Sequence, residues 1–155
     1  MTHSARIADQ FRRAYEGDAW HGPALLELLK DVDLKTAVAK PIAGAHSIWE
    51  IVLHIAAWDE ATLRRLEGHV SQPDGDENFP PVPKNPTERD WKDAVAAVKA
   101  THDRLVREVA ALPDSRLSDM TPGKNYDFYH QLHGVVQHEL YHAGQVALLK
   151  KAAAK

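Results

Sequence analysis

The sequence predicts an all-α protein: a four-helix bundle that forms a single domain over residues 1–155. Four long stretches repeat apolar side chains with the period of an amphipathic helix. All nine prolines lie outside those stretches, as the interior of a helix requires. No segment alternates apolar and polar residues in the manner of a half-buried strand. Four amphipathic helices with mostly short connections favour a bundle.

The first predicted helix covers residues 4–16 and places Ile7 and Phe11 on its apolar side. Gly17 and Asp18 end it, because both residues favour a turn over a continuing helix. A shorter helical segment rich in leucine follows Gly22-Pro23.

The second long helix begins at Ser47. Ser47 and Glu50 form the S-x-x-E pattern of a capping box, in which each residue satisfies a backbone N–H of the other. We expect this helix to reach about Glu67 and to end before Gly68.

A loop rich in proline and acidic residues covers residues 68–87, and connections of that length are often functional. The third helix is predicted over residues 87–112 and ends at Pro113. After a turn at Pro122, the fourth helix is predicted over residues 126–150.

Composition excludes several classes of function. The formal net charge of −3 and the pI of 6.3 give no positive surface for nucleic acid. The chain has no cysteine, so disulfides and thiolate metal ligands are excluded. No apolar run approaches the roughly 20 residues of a membrane span, and the first residues lack a signal-peptide pattern. We therefore expect a soluble cytoplasmic protein without a nucleic-acid or membrane partner.

His138 and His142 are candidate metal ligands. They lie four residues apart on the fourth helix, so their side chains share one face and can converge on one cation. His54, on the second long helix, is the candidate third ligand, because bundles build metal sites from facing helices. Three imidazoles leave a coordination position for water or substrate, as in catalytic metal sites.

The face around this histidine pair is polar. Gln131, Gly134 and Gln145 share one helical stripe with His138 and His142. Buried polar groups are costly unless they are paired. If this face points inward, its side chains must therefore bind a polar or charged partner there. The alternative is that the stripe faces solvent. His130 and His133 are expected to lie away from this line.

Three other residues have two interpretations each. Glu50 could orient the imidazole of His54, or it could be fully used by the capping box, which we favour. His102 falls on the apolar stripe of the third helix; we interpret it as a hydrogen-bonded core residue, and the alternative is that it lines the metal site. His46 could face the open end of the bundle, but we expect it to be solvent-exposed.

Residues 138–142 also match H-E-x-x-H, the helix of zinc metalloproteases, in which Glu139 would be the general base. The usual third ligand lies downstream of that pattern, but no histidine or carboxylate follows His142. We therefore favour a different site. Because Glu139 lies about 100° around the helix from His138, we expect that it is not a metal ligand.

Four segments together resemble the DinB/YfiT-like superfamily of metal-dependent bundle proteins. The resemblance lies in residues 15–23 (YEGDAWHGP), 47–50 (SIWE), 54–58 (HIAAW) and 134–145 (GVVQHELYHAGQ). It implies one DinB-like helical bundle domain, with a divalent metal on three histidines that match His54, His138 and His142. Zinc and nickel are the candidate metals, and a homodimer is expected. The family varies at the position of Glu139, so no catalytic role transfers to that residue.

Relatives in this superfamily include transferases and isomerases that use low-molecular-weight thiols. The resemblance therefore implies a metalloenzyme acting on a small-molecule substrate, and a thiol-dependent S-transferase is the favoured hypothesis. Two alternatives stay open: a hydrolase that uses metal-bound hydroxide, and a non-catalytic bundle that binds a metal or a small ligand.

Overall fold

The computed structural model describes residues 1–154, which form six α-helices and two short 3₁₀ turns. Within these residues no β-strand occurs, and the one isolated bridge joins Met120 to Asp127. The prediction of an all-α protein is confirmed. The helices are α1 (His3–Tyr15), α2 (Leu25–Leu29), α3 (Leu34–Val38), α4 (Ile48–Leu66), α5 (Glu88–Ala111) and α6 (Phe128–Ala153), and the 3₁₀ turns are Gly75–Glu77 and Asp114–Ser118.

The four long helices α1, α4, α5 and α6 form the bundle. Helix α5 packs against both α1 and α4, and α6 closes the bundle against the same two helices. The short helices lie outside this arrangement, with α2 against α6 and α3 against α4. Apolar side chains at both ends of the bundle form two buried clusters, one around Trp49 and Trp91 and the other around Phe11 and Phe128.

The predicted helices match the observed ones closely, with differences at the ends. Helix α6 begins at Phe128 rather than at Tyr126, because the side chain of Asp127 caps it by accepting from the backbone N–H of His130 at 2.8 Å. It continues to Ala153, because alanine is the best helix former and no breaker stands there. Helix α3 was not predicted, since five residues are too few to show periodicity.

The capping box of α4 is confirmed. Ser47 Oγ accepts from the Glu50 backbone N–H at 3.2 Å, and Glu50 Oε2 accepts from the Ser47 N–H at 2.7 Å. Glu50 Oε1 also accepts from Lys40 Nζ at 2.8 Å. Both carboxylate oxygens of Glu50 therefore accept hydrogen bonds at the start of α4, which agrees with the favoured interpretation of this residue.

The long connection between α4 and α5 carries the 3₁₀ turn Gly75–Glu77 and then returns to α4. Asn78 and Phe79, directly after that turn, contact side chains of α4. The loop thus supplies groups to the region where α4 faces α6. Among residues 1–154, no helix is both long and apolar enough to cross a bilayer.

Candidate metal centre

Three imidazoles from α4 and α6 meet between the two helices, and we call His54, His138 and His142 the histidine triad. The Nε2 atom of His138 lies 2.9 Å from Nε2 of His54 and 3.1 Å from Nε2 of His142. Two nitrogens bound tetrahedrally to one zinc ion at about 2.0 Å stand roughly 3.3 Å apart. The spacing of the triad is therefore compatible with a bound metal ion.

Hydrogen bonds fix the orientation of two of these rings. His54 Nδ1 lies 2.7 Å from the backbone carbonyl oxygen of Asn78, and His142 Nδ1 lies 2.6 Å from Oε1 of Gln145. Because both oxygens can only accept, both Nδ1 atoms carry the proton and donate. The Nε2 lone pairs are left free to face the centre of the triad, which is the arrangement that metal-bound histidines usually have.

The aromatic ring of Phe79 covers one face of His54. The two rings are stacked, with centroids 4.1 Å apart and planes 10° apart. His46 is half-exposed, as expected, and stacks on the other face of Phe79 at 3.8 Å. The loop between α4 and α5 thus holds the His54 imidazole by a backbone hydrogen bond and by a stacked ring.

The electrostatic environment keeps the histidine triad neutral. Burial lowers the pKa of His54 and that of His142 below the ordinary value of 6.5. Burial, together with the neighbouring His142 and His54, lowers the pKa of His138 to about 3. A metal ion requires deprotonated imidazoles, so these shifts favour metal binding at neutral pH.

The close Nε2 contacts leave room for two descriptions of the triad, a shared proton or a shared cation. Within residues 1–154, His138 Nδ1 has no hydrogen-bonding partner, so the tautomer of this ring is not fixed. A proton on His138 Nε2 could be donated to His54 or to His142, whereas a cation would attract the lone pairs of all three rings. The residues present therefore fit a divalent metal ion.

A cavity of about 440 Å³ opens beside the histidine triad. The Trp58 indole N–H donates to Asn78 Oδ1 at 2.8 Å, and the Arg65 guanidinium lies 5.6 Å from the centre of the Trp58 ring. Among the described residues, none that lines this cavity is a carboxylate. The histidine triad lines it together with Trp58, Arg65, Asn78, Tyr126, His130, Gln131, Gly134, Val135 and Tyr141.

The polar stripe predicted on the fourth helix points inward. Gln131 and Gly134 line the cavity, and Gln145 binds His142. His130, one turn before Gly134, also lines the cavity, although it is not one of the three converging imidazoles. His133 lies away from the triad, and its ring packs at a tilt of 58° against Tyr129, with centroids 4.5 Å apart.

A second group of ionisable residues lies in the centre of the bundle, and we call Asp59, His102 and Glu139 the inner triad. They come from α4, α5 and α6, and each is at most 1% exposed. His102 Nδ1 lies 3.0 Å from Glu139 Oε1 and 3.5 Å from Asp59 Oδ2. From α1, the ring of Tyr15 stacks on His102 with centroids 4.0 Å apart. Every long helix therefore contributes to this centre.

The inner triad answers two questions left by the sequence. His102 is a core residue and does not line the cavity, although the carboxylates beside it are not aligned for hydrogen bonds among the described residues. Glu139 is grouped with His102 in the core, away from the ring nitrogens of the histidine triad. The metalloprotease interpretation, which needs Glu139 beside the metal, gains no support from this geometry.

Comparison with known proteins gives the family. The family model described as the DinB superfamily matches residues 19–146. The chain belongs to the DinB superfamily. The resemblance noted in the sequence is thus confirmed, and the match covers every residue of both triads. No curated protein and no solved structure was found to match the chain.

In this DinB superfamily protein the inner triad shifts the pKa of each of its members upward. Burial raises the pKa of Asp59, and burial followed by the charge of Asp59 raises the pKa of Glu139 to about 8. Burial opposes the charged form of His102, but the two carboxyl groups raise its pKa to about 10. Burial and the charges of Asp59 and Glu139 also raise the pKa of Tyr15, which keeps the phenol protonated.

Sequence reasoning did not find the inner triad, although a signal was present. Asp59 stands one turn from both Ile55 and Leu63, on the apolar face of α4. Glu139 stands in the same way between Val135 and Ala143 on α6. An ionisable residue within an apolar stripe predicts a buried polar partner. Pairing such positions across helices would have pointed to this group.

Proposed function

We propose that this DinB superfamily protein binds one divalent metal ion on His54, His138 and His142 and catalyses a thiol-dependent S-transfer to a small molecule. The observation that carries this proposal is the convergence of three neutral imidazole nitrogens beside a cavity of about 440 Å³. A cavity of that volume suits a small-molecule ligand. Zinc and nickel both accept imidazole ligands, so either ion suits the triad.

The chemistry that a bound metal supplies is a lowered pKa for a thiol or a water in the open position. The chain itself has no cysteine, so the sulfur has to come from a cosubstrate. The thiolate sulfur of that cosubstrate would bond to an electrophilic carbon, the leaving group would depart with its electron pair, and the thiol proton would pass to solvent.

The walls of the cavity favour an anionic ligand. The guanidinium of Arg65 is the positive group, and its Nε donates to the backbone carbonyl of Ser71 at 2.8 Å, which holds it in place. A divalent metal on three neutral imidazoles would add two positive charges. Low-molecular-weight thiols of the amino-acid type carry carboxylates, which complement this field.

The same walls make hydrolysis the less favoured reaction. A metal-bound hydroxide works best with a general base or acid close to the substrate, most often a histidine or a carboxylate, and outside the histidine triad the cavity offers the exposed His130. Along the described part of the chain, the cavity contains no carboxylate, because Glu139 and Asp59 belong to the inner triad. The groups that position the imidazoles of the histidine triad are Asn78, Gln145 and Phe79, and none of them is a carboxylate.

The test compares turnover with and without a thiol. Purified protein is given an activated aryl halide with glutathione, or the aryl halide in water alone, and product is followed by absorbance. We expect turnover that needs both metal and thiol, is lost in His142→Ala and persists in the matched control His133→Ala. Metal-dependent turnover in water alone would favour the hydrolase. Stoichiometric metal with no turnover of a panel of electrophiles would favour a non-catalytic binding protein.

The homodimer and the cytoplasmic location expected from the sequence remain predictions.

A further inference from the structure

We propose that Asp59, His102 and Glu139 form a second divalent-cation site, enclosed in the centre of the bundle and separate from the histidine triad. The proposal goes beyond the function of the cavity and does not depend on it. One ligand atom from each of the three residues lies within 4.8 Å of the other two. The residues come from three different helices, so a bound ion would tie α4, α5 and α6 together.

The distances in the inner triad are those between ligands of one metal ion. His102 Nδ1 stands 3.0 Å from Glu139 Oε1 and 3.5 Å from Asp59 Oδ2. These values bracket the separation of roughly 3.3 Å between two atoms that are bound tetrahedrally at about 2.0 Å. The donor set is one imidazole nitrogen and carboxylate oxygens, which suits manganese or zinc.

The hydrogen bonding of the triad supports an ion over a proton network. Within residues 1–154, all the side-chain oxygens and ring nitrogens of Asp59, His102 and Glu139 are buried without a hydrogen-bonding partner. The atoms are close but are not aligned as donor and acceptor. Ligands of a common ion direct their lone pairs toward that ion rather than toward each other, so closeness without alignment is expected at a metal site.

Charge gives a further reason. With its protons displaced by a metal ion, the inner triad would present two carboxylates and a neutral imidazole, and a divalent ion would neutralise their charge of −2 in a region that water does not reach. Tyr15 closes one side by stacking on His102, and its own hydroxyl is also buried without a partner among the described residues. A neutral site that solvent does not reach would stabilise the fold and would not be accessible to a substrate.

The first measurement is the metal content of protein expressed in medium supplemented with zinc and manganese, so that the enclosed site can fill as the chain folds. We expect two metal ions per chain in the wild type and one in His54→Ala. In His54→Ala crystals, anomalous scattering should place the remaining ion between Asp59, His102 and Glu139. Asp59→Asn and Glu139→Gln should each remove that ion. The control Asp103→Asn, next to His102 on α5 but paired with Lys99 at the surface, should keep both ions.

Wild-type crystals with an anomalous peak at the histidine triad alone would overturn the proposal, and so would a folded His54→Ala protein without metal. Either result would mean that protons, and not a metal ion, neutralise the carboxylates of the inner triad. If Asp59→Asn does not fold, the wild-type crystals still decide the question. A peak at the inner triad alone would support this site while removing the proposed function, so the two can fail separately.

Discussion

The histidine triad and the inner triad draw on the same two helices but differ in composition and in access. His138 and Glu139 are neighbours on α6 that face different surroundings, because successive residues of a helix are turned by about 100°. Three imidazoles beside a cavity form one group, and one imidazole with two fully buried carboxyls forms the other. One helix thus contributes neighbouring residues to a histidine triad that lines a cavity and to an ionisable group that is fully buried.

The two groups also differ in how their polar atoms are satisfied. Asn78 orients the imidazole of His54, and Gln145 orients that of His142. The ionisable atoms of the inner triad, in contrast, have no hydrogen-bonding partner of good geometry among residues 1–154. A buried polar atom left without a partner costs about 1–3 kcal/mol, and more when it is charged. We therefore expect changes in the histidine triad to affect function and changes in the inner triad to affect stability.

The largest expected effect is the loss of the functional metal. His138→Ala removes the central ring, which contacts both other imidazoles. Metal at the histidine triad and metal-dependent turnover should both fall to background, while the far-ultraviolet circular dichroism stays native. Metal analysis and activity assays on His138→Ala and on His133→Ala provide the measurement. Full occupancy of the histidine triad in the first variant would remove His138 from the ligand set.

The next effect concerns stability. Glu139→Ala removes one member of a buried charged group and leaves His102 without its nearest carboxylate. Removal of one partner from a buried pair costs about 3–5 kcal/mol, so urea unfolding should show a loss of that size. Glu108→Ala, an exposed change on α5, is the control and should cost less than about 0.5 kcal/mol. Equal stability of the two variants would contradict the role given to the inner triad.

Glu139→Gln tests whether a change in the inner triad affects the metal of the histidine triad. Because Glu139 belongs to the inner triad, the isosteric change should leave the metal of the histidine triad in place. Anomalous scattering or metal analysis on the folded variant provides the check. A folded variant that loses that metal would mean that the orientation of α6 is wrong, and peptidase activity abolished by this change would restore the protease interpretation.

In chelator-treated protein, the histidine triad and the inner triad should change the free energy of unfolding in opposite directions as the pH rises. The pKa of His138 is lowered from 6.5 to about 3, so acidification below pH 6.5 protonates the unfolded chain first and reduces the free energy of unfolding. The pKa of Glu139 is raised from 4.5 to about 8 and that of His102 from 6.5 to about 10. Raising the pH across those intervals deprotonates the unfolded chain first, which also reduces stability.

Urea unfolding between pH 4.5 and 8 tests this difference, because these limits are the ordinary and the raised pKa of Glu139. His138→Ala should weaken the loss of stability at acidic pH, and Glu139→Gln should weaken the loss at alkaline pH. If both variants changed the same side of the profile, the assignment of the two pKa shifts would be incorrect.

The smallest expected effect is on metal affinity. Gln145→Ala removes the acceptor that orients His142, while all three imidazoles remain. Loss of such a partner lowers metal affinity by about 10- to 100-fold. Competition with a chromophoric chelator measures the change, and Gln137→Ala, an exposed change on the same helix, should leave the affinity unaltered. An unchanged affinity in Gln145→Ala would show that this hydrogen bond does not hold the ring.

Much of the fold could be predicted from the sequence, because helical period, prolines and caps are local properties. The i,i+4 spacing likewise placed His138 and His142 on one face, and the bundle then brought His54 to them. The contacts of Asn78 and Phe79 could not be predicted, because they depend on how a long loop returns to α4. The inner triad was missed for a related reason, since the register between α4, α5 and α6 is set by packing and not by the pattern of any one helix.

The most direct test of the central claim asks whether the metal of the histidine triad keeps a position open to a thiol. With cobalt in place of the native metal, addition of a small thiol should produce a sulfur-to-metal charge-transfer band, because three imidazoles leave a tetrahedral ion one ligand short. The band should be absent in His142→Ala and present in His133→Ala. A cobalt spectrum of the wild type that does not respond to thiol would mean that the site is closed, and it would contradict a thiol-dependent enzyme.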